Sequence, residues 1–143
     1  MAYWLFKSEP ESWSWDQQKA KGKSGEPWDG VRNYQARNHM REMKKGDLGF
    51  FYHSGAERAV VGIVEVSAEA RPDPTTDDPR WECVDVRAVR GLPKPVTLDD
   101  VKAEPQLAKM VLANNSRLSV QPVSEEEWKI VCAMGGLQDP PRR

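Results

Sequence analysis

Short apolar runs separated by turn-forming residues set the pattern of this chain. Tyr3-Trp4-Leu5-Phe6 is a continuous apolar run too short for a helix, and it predicts a buried strand. Ser14 with Gln17 has the spacing of a capping box and predicts a short helix over 15–20. Residues 21–27, rich in Gly, Pro and charge, predict a loop. Over 33–44, Ala36, Met40 and Met43 recur at helical spacing and Gly46 supplies a stop, so a helix is predicted there. Asn33 and Arg37 share one face of that helix, and Arg41 extends the row.

Strand patterns follow. Residues 47–53 read as an aromatic-rich strand and 59–66 as a β-branched one. The prolines within 72–79 forbid a hydrogen-bonded ladder and predict a loop. In 81–89, Val84, Val86 and Ala88 alternate with Cys83, Asp85 and Arg87, which predicts a strand with two unlike faces. Pro93 and Pro95 are expected to break the chain. Thr97 with Asp100 caps a helical turn, and residues 106–113 carry Leu107, Met110 and Val111 as a further helical stretch. Asn114-Asn115 marks a turn, and 117–122 alternates as a strand. Ser124 with Glu127 is a capping box with Val123 and Trp128 as its hydrophobic staple, and that helix is expected to run to Met134. The order β-α-α-β-β-β-α-α-β-α lacks regular alternation. It argues for an α+β fold, a mixed and mostly antiparallel, partly closed sheet with helices outside.

The chain has 143 residues, 38% hydrophobic and 30% charged, which fits a single soluble domain over 1–137 with a Pro/Arg-rich tail, 138–143, expected to fray. No apolar run approaches the roughly 20 residues of a membrane span, and Met1–Lys7 lacks the features of a signal peptide. Cys83 and Cys132 have no metal-ligand spacing and read as reduced, buried thiols. The expectation is a monomeric cytoplasmic protein, bacterial by preference and nuclear if eukaryotic, with no membrane partner and no metal or organic cofactor. Net charge is −1, but residues 17–45 carry eight basic and three acidic residues, a local +5. Such a segment suits salt-sensitive binding to a polyanion, or is a solvated face.

Within that segment stands Trp28-Asp-Gly-Val-Arg-Asn-Tyr-Gln-Ala-Arg37. These residue types can stack a flat ring, read its polar edge and hold a phosphate. They also suit a core Trp28 with Arg32 and Arg37 on a solvated helix face, or an Arg37 paired with Glu42 or Asp47. Gly22-Lys23-Ser24 is not a phosphate loop, because the upstream glycine and the preceding strand are missing. His39 is expected on an exposed helix face. His53 and Ser54 are neighbours along a strand and point to opposite faces, so they form no nucleophile–base pair by themselves. His53 is nevertheless the best, though weak, general-base candidate. Ser8 between Lys7 and Glu9 has the types for a nucleophile, with no oxyanion hole identifiable.

Five segments carry a resemblance: Tyr3–Pro10, Trp28–Arg37, Met43–Asp47, Phe51–Ser54 and Arg117–Val123. In this order and over nearly the whole chain they resemble the EVE domain family. The resemblance implies a PUA-like pseudo-barrel flanked by helices, related to the YTH and ASCH domains. It also implies a pocket for a flipped, modified nucleobase, with modified cytosine in DNA or RNA as the favoured ligand. Carried onto this sequence, that pocket comprises Lys7, Ser8, Trp28, Val31, Asn33, Tyr52, His53, Ser54, Leu118 and Ser119. In it, Trp28 stacks, Ser8, Asn33 and Ser54 meet the Watson–Crick edge, and Val31 and Leu118 touch the base or its methyl group. Arg32, Arg37, Lys19 and Lys21 are the expected phosphate partners, together with Lys7. The function expected is a non-catalytic nucleic-acid-binding module; the alternative is a hydrolase or binder of a small modified nucleoside in the same pocket.

Overall fold

The computed structural model describes residues 3–115 and 117–142. β1 (Tyr3–Ser8) pairs in parallel with β3 (Leu48–His53) and antiparallel with β6 (Val120–Val123). β3 continues antiparallel into β4 (Ala59–Pro72), which pairs with β5 (Glu82–Thr97), and β5 with the short β2 (Glu26–Pro27). The result is one six-stranded sheet in the order β2-β5-β4-β3-β1-β6. The α+β class and the mostly antiparallel pairing agree with the sequence reading. The sheet is not closed into a barrel, and β2 and β6 are its edges.

Both faces of this sheet are covered, which explains the continuous apolar run at its centre. Tyr3, Leu5, Leu48, Phe50 and Tyr52 point to one face. That face is packed by α3 (Leu98–Ala103), α4 (Val111–Asn114) and α5 (Glu125–Met134). Trp4, Phe6 and Phe51 point to the other, against Trp15 of α1 (Trp15–Ala20) and Ala36 and Met40 of α2 (Tyr34–Glu42). Trp15 lies so close over β4 that a Cβ at Gly62 would stand 2.4 Å from its ring. The capping boxes at Ser14/Gln17, Thr97/Asp100 and Ser124/Glu127 all form.

Several elements depart from the sequence reading. β5 runs through Pro93 and Pro95 instead of ending before them. Its ladder to β4 jumps from Gly62↔Gly91 to Val60↔Val96, so residues 92–95 bulge out where no ladder donor is needed. The Lys94 N–H turns instead to the Gly135 carbonyl at the end of α5, at 3.0 Å. The stretch expected as one helix over 106–113 is a 3₁₀ turn, Pro105–Leu107, followed by α4. Cys83 is buried in the same cluster as Val84, opposite an irregular stretch of β4 where the ladder passes from Ala68↔Asp85 to Arg71↔Cys83. Both cysteines are free, and burial pushes their thiols up to about 11 for Cys83 and about 12 for Cys132. His39 is half-buried, its ring 5.8 Å from that of Trp4, and burial lowers its pKa. At the C-terminal end Leu137 is buried, and Pro141 accepts a hydrogen bond from the Trp128 indole at 2.9 Å.

Candidate functional site

Where β1 ends, beyond the edge of the α1/α2 face, a cleft of about 470 Å³ opens. Its walls are Lys7 and Ser8 of β1, Glu9, Ser12 and Trp13 of the following loop, β2, the segment Trp28–Arg32, and Ser119. Main-chain bonds bring these pieces together. Lys7 N–H donates to the Ser119 carbonyl at 2.9 Å and Trp28 N–H to the Val84 carbonyl at 2.8 Å. The Ser8 hydroxyl donates to the Trp13 carbonyl at 2.5 Å. The Trp13 indole donates to Gln18 at 2.9 Å, and the fully buried Gln18 amide donates in turn to Val86 of β5 at 3.1 Å.

Trp28 is only 8% exposed and packs edge-on against Phe6 and Phe51, at 5.2 and 5.6 Å between ring centroids. It is at once a core residue and a wall of the cleft. The loop that follows it is fixed by Asp73, which is buried beside β4. One Asp73 oxygen accepts from the Gly30 N–H at 2.9 Å and from the Arg32 guanidinium at 3.1 Å. The other accepts from the N–H and hydroxyl of Thr75, at 2.7 and 2.6 Å. Gly30 takes φ 77°, which glycine adopts without strain.

Burial alone would raise the pKa of Asp73, but these hydrogen bonds outweigh it and hold the carboxyl at about 2. Its folded pKa therefore lies below the ordinary 3.8, and its stabilisation is complete above that value and lost as pH falls towards 2. Asp73→Asn should destabilise the protein by roughly 1–3 kcal/mol at neutral pH, the scale of hydrogen bonds to a charged group. Urea midpoints of the two proteins, compared across pH, should stay separated from pH 7 to 5 and converge in the acid range. A separation unchanged down to pH 2 would exclude an ionised, load-sharing Asp73. Asp29, at the rim of the cleft, is shifted the other way. Burial raises its pKa first, and the nearby charges of Asp73 and Glu26 raise it further.

Of the residues expected in the pocket, Lys7, Ser8, Trp28, Val31 and Ser119 line the cleft, and Arg32 joins them. Strand alternation sends the Lys7 side chain to the Tyr52 face of the sheet, where its Nζ stands 5.6 Å from the ring centroid and burial lowers its pKa. Tyr52 itself is in the core on that opposite face, and Leu118 is buried against α2. Asn33 does not reach the cleft; it is the N-cap of α2, its side chain accepting from the Ala36 N–H at 2.9 Å. Ser54 contributes its N–H, which donates to the Ser8 carbonyl at 2.9 Å.

His53 is buried away from the cleft with both ring nitrogens engaged. Nε2 accepts from the Trp15 N–H at 3.0 Å, which leaves Nδ1 to bond Glu57 at 2.6 Å. It anchors the start of α1 and has no nitrogen free for general-base work. Among the described residues no group of three or more His, Cys, Asp and Glu could hold a metal ion.

The local +5 does not make a bare basic patch. Lys19 pairs with Asp16, Lys21 with Glu26, Arg32 with Asp73 and Arg41 with Glu82. Arg37 pairs with neither Glu42 nor Asp47; it donates to the Asn38 side chain and to the Arg80 carbonyl. Sequence reasoning missed Glu9, Ser12, Trp13, Glu26, Pro27, Asp29 and Gly30 as cleft residues. Trp13 had a signal, because it directly precedes the capping Ser14 and so belongs to the turn between β1 and α1.

The EVE domain pattern matches residues 2–134 of this chain. Mouse thymocyte nuclear protein 1 is 38% identical over 164 residues, covering 92% of this chain and 73% of its own. A protein of Agrobacterium tumefaciens of known crystal structure is 62% identical, with a TM-score of 0.98 over 99% of this chain and 98% of its own. The crystal structure of human THYN1 in complex with DNA containing 5-methylcytosine superposes with a TM-score of 0.87, at 36% identity, over 99% of this chain and 100% of that one.

Proposed function

The chain belongs to the EVE domain family, and from that premise we propose that it is a non-catalytic nucleic-acid-binding module that captures a modified base, 5-methylcytosine first, in the cleft beside Trp28. The cleft carries this reading: about 470 Å³ is ample for one base and sits within the ordinary range of ligand pockets. Its apolar walls, Trp13, Pro27, Trp28 and Val31, hold the ring and its methyl group. Its polar groups suit a cytosine edge. A carboxylate accepts from the exocyclic amine of cytosine, and Glu9 and Asp29 supply that type of acceptor. The hydroxyls of Ser12 and Ser119 donate or accept as the base requires. The relative bound to 5-methylcytosine DNA is the further support.

The non-catalytic reading is supported by the two catalytic candidates that the sequence offered, Ser8 and His53. The Ser8 hydroxyl is committed to the Trp13 carbonyl, and His53 to Trp15 and Glu57. Neither is poised to attack or to take a proton from a ligand in the cleft.

The test is a titration of short fluorescent DNA and RNA oligomers with one cytosine, plain, 5-methyl or 5-hydroxymethyl, at two salt concentrations. One buried methyl contributes about 0.8 kcal/mol, so a preference of about fourfold or more for a modified form is expected. Equal affinity for all three bases, in DNA and RNA alike, would remove the reading. Turnover of a modified nucleoside would replace it with the hydrolase.

A further inference from the structure

Beside the cleft, outside the lining just described, an aromatic pair stands among three guanidinium groups. Tyr34, the first residue of α2, is 49% exposed, and among the described residues only it and Val89 are large apolar side chains left open to solvent. Its ring does not swing freely. It stacks on the buried Trp81 at 4.9 Å and an interplanar angle of 22°, and its hydroxyl accepts from Arg80 at 3.0 Å. Arg37 lies 4.9 Å from the centre of the Tyr34 ring, and Arg32 lies 5.5 Å from that of Trp81.

These arginines are positioned before any ligand arrives. Arg80 is forked onto Asp78, and Arg32 is held by Asp73. Arg37 is different. Its donors meet only neutral oxygens, the Asn38 side chain and the Arg80 carbonyl, and it makes no ion pair among the described residues. A positive charge without an acidic partner among the described residues, on a partly exposed arginine, therefore stands beside a half-exposed ring whose orientation is fixed. Packing Trp81 explains one face of Tyr34 and leaves its exposure without a structural use. Arg32 belongs to both places, since it lines the cleft and sits over Trp81, so the surface begins where the cleft ends.

We infer that Tyr34, stacked on Trp81 and flanked by Arg37 and Arg80, is a second nucleic-acid subsite that receives the nucleotide next to the captured base. Tyr34 stacks on the flanking base, which needs no particular sequence because every base has a π-face. Arg37 meets the connecting phosphate, where a planar fork is well matched. The subsite rests on the reading of the cleft as a base pocket. It adds that the ligand is a strand and not a free nucleoside, and that part of the affinity is indifferent to the modification.

Two ligands separate the subsite from the cleft: free 2′-deoxycytidine, and a single-stranded DNA nonamer with one central cytosine, each in its plain and its 5-methyl form. Calorimetry on wild type, Tyr34→Ala, Tyr34→Phe and Arg37→Gln should give the same nucleoside affinity for all four. For the nonamer, Tyr34→Ala should lose about tenfold, within the range of one base–aromatic stack, and Tyr34→Phe should restore it. Arg37→Gln should weaken the nonamer for plain and modified cytosine alike and reduce the salt slope by about one. Nonamer affinity unchanged in both Tyr34→Ala and Arg37→Gln, with nucleoside binding intact, overturns the subsite and leaves the cleft reading standing. A wild type that ignores the modification in both ligands overturns the cleft reading, while loss of nonamer binding in the variants would still establish the strand surface. Wild type that binds neither ligand removes both.

Discussion

Trp128→Ala should cost about 3–5 kcal/mol of unfolding free energy, the range for emptying a buried tryptophan site. Trp128 is fully buried and its indole lies between Tyr3 and Phe50, with ring centroids at 4.5 and 4.1 Å and interplanar angles of 22° and 20°. It ties α5 to β1 and β3 at once, and its N–H holds the Pro141 carbonyl. Removing it deletes two stacked contacts, opens a large void and leaves that carbonyl without its donor. Domains are stable by only about 5–15 kcal/mol, so the variant sits near the edge of folding. A drop in melting temperature on the order of 10 °C or more follows for a chain of this size. Urea and thermal denaturation measure it directly, and a loss below about 1 kcal/mol would contradict the packing. Trp128 lies on the face of the sheet away from the cleft. The fraction that remains folded should therefore bind oligomers as wild type does, which separates this core from the site.

The contrast between those two faces shows how much could be read from the chain. Local signals were legible. The capping boxes at Ser14, Thr97 and Ser124 depend on residues three apart, and each forms where its spacing predicts. The run Tyr3–Phe6 is a strand buried on both sides, as a continuous apolar run suggests. Features set by distant partners were not legible. β2 is a two-residue strand that exists only because β5 offers it a ladder. Pro93 and Pro95 signal a break, yet a bulge opposite Val61 absorbs them. The positive segment 17–45 is partly neutralised by Asp73 and Glu82, which the fold brings from beyond it.

The same division runs through the site. Ser8, Trp28, Val31 and Ser119 meet at the cleft, but their segments are far apart in sequence, and the family resemblance is what joined them. Tyr52 shares strand parity with Leu48 and Phe50, so alternation puts it on their face; which face looks onto the cleft is a tertiary fact. Asn33 has two uses for one amide, ligand contact or helix cap, and the start of α2 takes it. The Trp13 wall and the Tyr34–Trp81 pair rest on contacts that no short window of sequence contains.

Trp28→Ala carries the second large effect, and it strikes stability and capture together. The ring fills space against Phe6 and Phe51, so its removal should cost about 3–5 kcal/mol as an emptied core site. The same ring is a wall of the cleft, and its loss should weaken a 5-methylcytosine oligomer by about tenfold or more and erase the preference over plain cytosine. Misfolding would imitate the second effect, so the two must be parted. Affinity is compared per folded molecule, at low temperature, with the folded fraction read from circular dichroism. Trp28→Phe is the companion: it keeps apolar volume against Phe6 and Phe51 while shortening the wall. The expected order of stability is wild type, Phe, Ala. The preference for the modified base should fall sharply already at Phe, because a smaller ring leaves the base loosely held. Should folded Trp28→Ala keep full discrimination, Trp28 would be a core residue alone. Recognition would then fall to Trp13, whose indole is held by Gln18 and whose carbonyl accepts from the Ser8 hydroxyl.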